Sequence, residues 1–292
     1  MRYGTGVVLV VVAGLLWSGF GLAVRHLDGA GAWAVVFWRS VALVPALMLF
    51  VSWRSRGQAM RRVLATGWSG VVGGLCLIAA SLGGIYSIQA TTVANAVFLF
   101  AAAPFLTAVL GWALLGERVR GATWASIALA AVGIFIMVRE GLALGALDGN
   151  LAALGSALGF AGFTVAIRSG RQGDMMPTVV LGGVFTMIAA AFVAPAMGET
   201  LWVSTHDIIL SMAMGACLLA TGMALYTIGS RVIPAAELPL LSIVEVLLAP
   251  VWVWLFLGET ASGGTVLGGT ILVSAVVLNA LSGMRGRAVV PA

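Results

Sequence analysis

Three ionisable side chains lie inside long apolar stretches of this chain: Arg39, Glu237 and Glu245. A charge in hydrocarbon costs roughly 2.5–3.5 kcal/mol on insertion scales, so each needs a partner, water or a ligand. Glu237 and Glu245 are eight residues apart. On one helix that spacing is about 80° of rotation and ~12 Å of rise, so both can face a single interior cavity. Two roles are open to them. They can hold a substrate ammonium or exchange a proton for cargo, or they can be structural ion-pair partners of Arg39. Arg39 lies within a turn or two of the end of its stretch, which suits a structural tie as well as a ligand. Asn95 carries an amide able to bond either end of an amino-acid backbone or a neighbouring helix. Trp17, Tyr86, Phe98, Phe163 and Tyr226 are candidate rings for an aromatic-tolerant cavity.

No metal or cofactor set accompanies these residues. Cys76 and Cys217 sit in apolar runs outside any CxxC or Cys/His cluster and read as small apolar side chains. Both histidines, His26 and His206, fall in loops. There is no HExxH, no DDxxD and no GxxxxGK[ST]. The pattern therefore points away from an enzyme and from an ATP-driven pump.

The elements that carry these residues follow from composition. Of 292 residues, 61% are hydrophobic and 9% charged, with a mean hydropathy of +1.12. A soluble domain has roughly a quarter of its residues charged. A soluble enzyme, a nucleic-acid-binding domain and a secreted disulfide scaffold are excluded. Apolar runs mark ten candidate membrane helices, at about residues 6–24, 32–52, 64–86, 91–115, 121–138, 150–167, 176–197, 207–229, 233–257 and 264–283. The third and fourth are divided only by the polar stretch 86–92. The runs are apolar on all sides rather than alternating, which disfavours a β-barrel. The first run, without a good cleavage context after it, reads as a span rather than a signal peptide.

All 15 basic residues are arginine. With the N-terminus in the cytoplasm, twelve arginines fall at cytoplasmic loops and ends and only Arg25 and Arg139 at outer loops. The positive-inside bias then places both termini in the cytoplasm.

The chain also repeats. Residues 17–25 (WSGFGLAVR) align with 160–168 (FAGFTVAIR) at an offset of 143, Tyr86 with Tyr226 at 140, and Leu115-Gly-Glu117 with Leu257-Gly-Glu259 at 142. Asn95 then corresponds to Glu237. The expectation is an all-α integral membrane fold with residues 1–143 as one five-helix repeat and 144–292 as a second. An odd count inverts the second repeat in the bilayer, a device of secondary transporters with a midplane site. Glu117 and Glu259, at helix ends, are expected to cap loops or to make a gating contact with arginine.

In order and spacing, Trp17-Ser-Gly-Phe20, Phe37-Trp-Arg39, Ala103-Pro104, Leu115-Gly-Glu-Arg118, Gly222-Met-Ala-Leu-Tyr226 and Leu257-Gly-Glu259 resemble the EamA-type members of the drug/metabolite transporter superfamily. The resemblance covers nearly the whole chain, with one departure. A Glu-Pro pair usual in the ninth span is here Glu245-Val246, with Pro250 four residues on. The resemblance implies a bacterial inner-membrane exporter of amino acids, aromatic ones included, or related small metabolites. Its cavity is expected between the first, third, fourth, sixth, eighth and ninth spans, with the fifth and tenth peripheral. Gly19, Pro104, Gly162 and Pro250 are candidate bending points.

Overall fold

A computed structural model describes residues 2–171, 174–233 and 237–287. Among them there is no strand, and ten helices are long and apolar enough to cross a membrane. In order these spans are Tyr3–Arg25, Ala32–Arg54, Gly67–Ala90, Val93–Leu115, Gly121–Ala143, Leu147–Ser169, Met176–Ala196, Thr205–Val232, Leu240–Leu257 and Gly263–Gly283. Helices are the expected solution because hydrocarbon offers no partner for a free backbone N–H or C=O. Even the weakly marked third and fourth spans are separate, divided at Thr91 and Thr92.

Contacts between connections sort them into two faces. On one face Arg54 pairs with Asp174 at 3.1 Å and Arg168 with Glu117 at 3.0 Å, and Tyr3 donates to Glu237. On the other, Arg25 pairs with Glu259 at 2.8 Å, Gln89 donates to Ala30 O at 2.8 Å, and Ser262 donates to Glu140. The first face carries most of the loop arginines. The first span ends, and the sixth begins, at the arginine-poor face, where Arg25 reaches Thr91 and Gly149 lies against Ala90 and Thr91.

Two groups of helices result. The first, eighth and ninth spans pack together with the second beside the eighth; the third, fourth and sixth pack together with the seventh beside the third. Exchanging each span for the one five positions away maps this arrangement onto itself. Two seams join the groups, the second span against the seventh and the fifth against the tenth. At the latter, a Cβ added to Gly133 would meet the backbone of Gly268 and Leu272, so glycine permits the approach. The fifth and tenth spans thus brace each other across the molecule.

Elsewhere the two groups meet mainly near the arginine-poor face. There Phe20–Arg25 packs on the third span, and Leu238–Leu257 packs on Val93–Phe100. A buried cluster including Val24, Val35, Ile85, Val93, Met214 and Val253 fills this end. Among the described residues, Tyr3–Ser18 and Thr221–Gly229 make no packed interface with Ala103–Leu115 or Leu147–Ser169. The groups therefore separate toward the arginine-rich face.

The expected bending points divide into two kinds. The first span breaks at Gly19, between helices Tyr3–Ser18 and Phe20–Arg25. The fourth breaks between Val93–Phe100 and Ala103–Leu115, with Pro104 in the first turn of the second piece. That is where a residue lacking an N–H is tolerated. The helix runs unbroken through Gly162 and through Pro250. Gly162 serves close approach instead, since a Cβ there would lie 2.9 Å from Cys76 Sγ. A further irregularity carries no sequence signal: Met214–Ala220 of the eighth span is π-helical, a feature that often accompanies functional sites.

Candidate functional site

The Leu-Gly-Glu elements are helix stops. Gly116 and Gly258 adopt φ +66° and +67°, a left-handed conformation open to glycine at little cost. The next N–H then turns back, Glu117 to Gly111 O and Glu259 to Val253 O, each at 3.2 Å. Each glutamate is thereby aimed sideways at the arginine closing a neighbouring helix, Arg168 and Arg25 respectively. Both arginines occupy equivalent places in the aligned segments, so their role as partners was legible in the repeat.

Within the first helix group, the Trp17 and Tyr226 rings stack at 5.6 Å between centroids, inclined by 38°. Gly222 makes this possible, because its Cβ would overlap the Trp17 indole. The Trp17 Nε1 proton is buried and has no partner among the described residues. Trp252 Nε1 donates to Ser18 Oγ at 2.9 Å, tying the ninth span to the break at Gly19. Seven residues earlier on that helix, Glu245 packs its backbone N at 3.7 Å from the Cβ position of Gly14. Its carboxylate is half-buried and takes no hydrogen bond or ion pair from a described residue.

Arg39 is buried, 5% exposed. Its guanidinium carbon lies 5.6 Å from the centroid of the Phe20 ring, and its Nε has no partner among the described residues. Neither glutamate pairs with it, so the alternative of an Arg39–Glu ion pair is not what the structure contains. Orphaned polar groups in a membrane interior are expensive, at about 1–3 kcal/mol each, and call for a ligand or water.

The other candidate residues lie elsewhere. Glu237 is not deep in a span: it precedes the helix beginning at Leu238 and accepts a hydrogen bond from Tyr3 at the arginine-rich face. Asn95 is 3% exposed and spends its amide on helix–helix bonds. It donates to Asn150 and to Thr91 Oγ1 and accepts from Thr265 Oγ1. Tyr86 is 44% exposed on the same helical stripe as Trp68, Val72 and Leu75, the lipid-facing side of the third span. Phe98 lies on Gly269 of the tenth span, where a Cβ would overlap its ring. Phe163 is in the core, 5.6 Å from Phe160, which stacks on Phe100 at 5.7 Å. The structure therefore brings together Trp17 and Tyr226, sets Glu245 on the neighbouring helix, and places Arg39 by Phe20. It separates these from Tyr86, Asn95, Phe98, Phe163 and Glu237.

This packing yields a checkable expectation. Gly222→Ala should displace the Trp17 indole at an overpacking cost of about 1–3 kcal/mol, seen as a lower melting temperature and weaker ligand binding. Trp17→Phe in the same chain should recover stability, because the smaller ring vacates the space of the added methyl. No recovery would mean that the glycine serves something other than Trp17.

The model of the EamA-like transporter family matches residues 4–139. The chain is also 26% identical over 181 residues to the uncharacterized transporter YwfM of Bacillus subtilis (strain 168), a match spanning 60% of each protein. It is 28% identical over 216 residues to an uncharacterized transporter of Vibrio cholerae, spanning 70% of this chain and 66% of that protein. A solved crystal structure superposes with a TM-score of 0.63 over 96% of this chain and 98% of the other at 18% identity, which fixes the fold. The EamA-type resemblance read from the motifs is in line with these matches. The chain is a multi-pass membrane protein, all-helical among the described residues, and is similar to proteins of that type.

Proposed function

We propose that this EamA-type protein is a secondary transporter that moves amino acids, aromatic and other amphiphilic ones included, out of a bacterial cell across the inner membrane. The observation that carries the reading is the set of unpartnered polar groups in the membrane interior. The Glu245 carboxylate suits a substrate ammonium, the Arg39 guanidinium a carboxylate, and the Trp17–Tyr226 pair an apolar side chain. A nucleotide-sugar cargo calls for several inward-facing cations, and Arg39 is the interior one the sequence offers.

In this reading residues 1–143 and 144–292 are inverted repeats, and both termini are cytoplasmic. The self-mapping helix arrangement and the arginine bias support it. Transport follows the substrate gradient, since one interior carboxylate without a neighbouring relay is a sparse proton path. Ligand screening tests the substrate class. A ligand that binds the folded state raises its melting temperature, by an increment that grows with the logarithm of concentration over Kd. Zwitterionic amino acids should raise it in detergent, and sugars and nucleotides should not. A shift from nucleotide sugars alone would replace the amino-acid reading.

A further inference from the structure

Arg39 is held from two sides. Its backbone carbonyl lies against Gly215, where an added Cβ would overlap it, so the π-helical segment of the eighth span packs directly on the second span at this residue. Its side chain lies over the ring of Phe20, 5.6 Å from guanidinium carbon to centroid. Phe20 opens the helix Phe20–Arg25, immediately after the break at Gly19, and packs on the buried cluster at the arginine-poor end. Among the described residues no carboxylate pairs with Arg39 and no acceptor takes one of its N–H groups. The Phe20 ring is therefore what the structure sets against this buried charge. As a partner for arginine, a ring face differs from a carboxylate. A carboxylate neutralises the guanidinium and occupies its donors. The ring quadrupole attracts the charge, the more so away from water, but supplies no lone pair. The donors and the positive charge both stay free for an incoming anion.

We propose that Phe20 is the positioning residue for Arg39: its ring holds the guanidinium in place for a substrate carboxylate while leaving the N–H groups unspent, and so sets a preference for ligands that carry a carboxylate. Trp17, three residues earlier, carries the ring that stacks on Tyr226. One stretch on either side of Gly19 thus supplies a ring for the apolar part of the substrate and a ring that steadies the partner of its anionic end. An ion pair in place of the Phe20 contact would anchor Arg39 as firmly, but a substrate carboxylate would then have to displace the resident one.

The inference rests on the amino-acid reading, in which Arg39 meets the substrate carboxylate, and the test separates the two. Phe20 is replaced, by stop-codon suppression, with phenylalanines carrying one, two or three ring fluorines. Fluorine draws electron density from the ring face and scarcely changes its size, so packing is kept while the attraction for a cation weakens in steps. Binding of L-phenylalanine and of phenethylamine, the same compound without its carboxylate, is measured on the whole chain in detergent. Affinity for L-phenylalanine should fall with each added fluorine, by roughly tenfold in all, and affinity for phenethylamine should not change. Phe20→Leu, which keeps an apolar side chain without a ring, should weaken L-phenylalanine by a similar factor. In an Arg39→Gln background L-phenylalanine should bind more weakly from the start and show no response to fluorination. An affinity for L-phenylalanine that ignores the fluorine count, while Arg39→Gln still weakens it, overturns the inference and leaves Phe20 as packing. Equal weakening of both ligands overturns it too, because the ring is then a wall of the pocket. If Arg39→Gln leaves L-phenylalanine affinity unchanged, the carboxylate contact of the amino-acid reading fails, and the inference falls with it.

Discussion

Glu245→Gln should weaken binding of zwitterionic amino acids about 10–100-fold while leaving the melting temperature of the ligand-free protein nearly unchanged. The magnitude is that of one hydrogen bond to a charged group, roughly 1.5–3 kcal/mol. The small stability effect follows from the absence of a described partner for this carboxylate: the amide leaves nothing behind unsatisfied. An effect of equal size on an analogue lacking the ammonium would mean that the variant distorts the site rather than removing a contact. A large fall in ligand-free stability would mean that Glu245 is structural. Glu237→Gln provides the contrast. Its side chain meets Tyr3 at the arginine-rich face, so zwitterion affinity should not change.

Asp207→Ala should lower the melting temperature by about 10 °C, a large loss for a single side chain in the first turn of a helix. Asp207 is 1% exposed and accepts from the backbone N–H groups of Asp28, Gly29 and Ala30 at 2.8, 3.3 and 3.0 Å. Its own N–H is capped by Ser204 Oγ at 3.1 Å. One carboxylate therefore fixes the turn between the first two spans onto the start of the eighth. Leaving those donors unsatisfied costs about 1–3 kcal/mol each, and at this chain length each kcal/mol moves the midpoint by roughly 2–4 °C. Asp207→Asn retains an acceptor oxygen and should lose less than half as much. Equal losses from both variants would show that the negative charge, rather than the acceptor count, holds the turn.

The spans were legible because each is long and apolar, and only a helix satisfies its backbone in hydrocarbon. The Leu-Gly-Glu stops were legible for a related reason: the αL position asks for glycine, and the glutamate after it recurs at a matching place. The placement of Glu237 was not, although a signal was there. Pro239 stands in the first turn of its helix, the place proline tolerates, which puts Glu237 outside. The run read from residue 233 was apolar enough to hide that boundary. Tyr86, Phe98 and Phe163 lie apart from the Trp17–Tyr226 pair for a different reason. When a helix is apolar all round, periodicity does not separate the side facing lipid from the side facing a neighbour. Tyr86 went to lipid, and the two phenylalanines went to packing against Gly269 and Phe160. Asn95 aligned with a glutamate in sequence, yet its amide is consumed by Asn150 and Thr265, partners that only the folded chain reveals. The π segment at Met214–Ala220 depends on backbone geometry, which side-chain patterns do not record.

Counterflow in proteoliposomes tests the central claim most directly. Vesicles containing the purified protein are loaded with an unlabelled aromatic amino acid and diluted into a trace of the labelled form, with equal pH on both sides. An alternating-access carrier for zwitterions should accumulate label transiently above its outside concentration, and Glu245→Gln should suppress that overshoot. N-acetylated amino acid inside the vesicles should not drive it, since it offers no ammonium to Glu245. An overshoot driven equally by the acetylated compound, or accumulation that appears only when a pH gradient is imposed, would contradict the account.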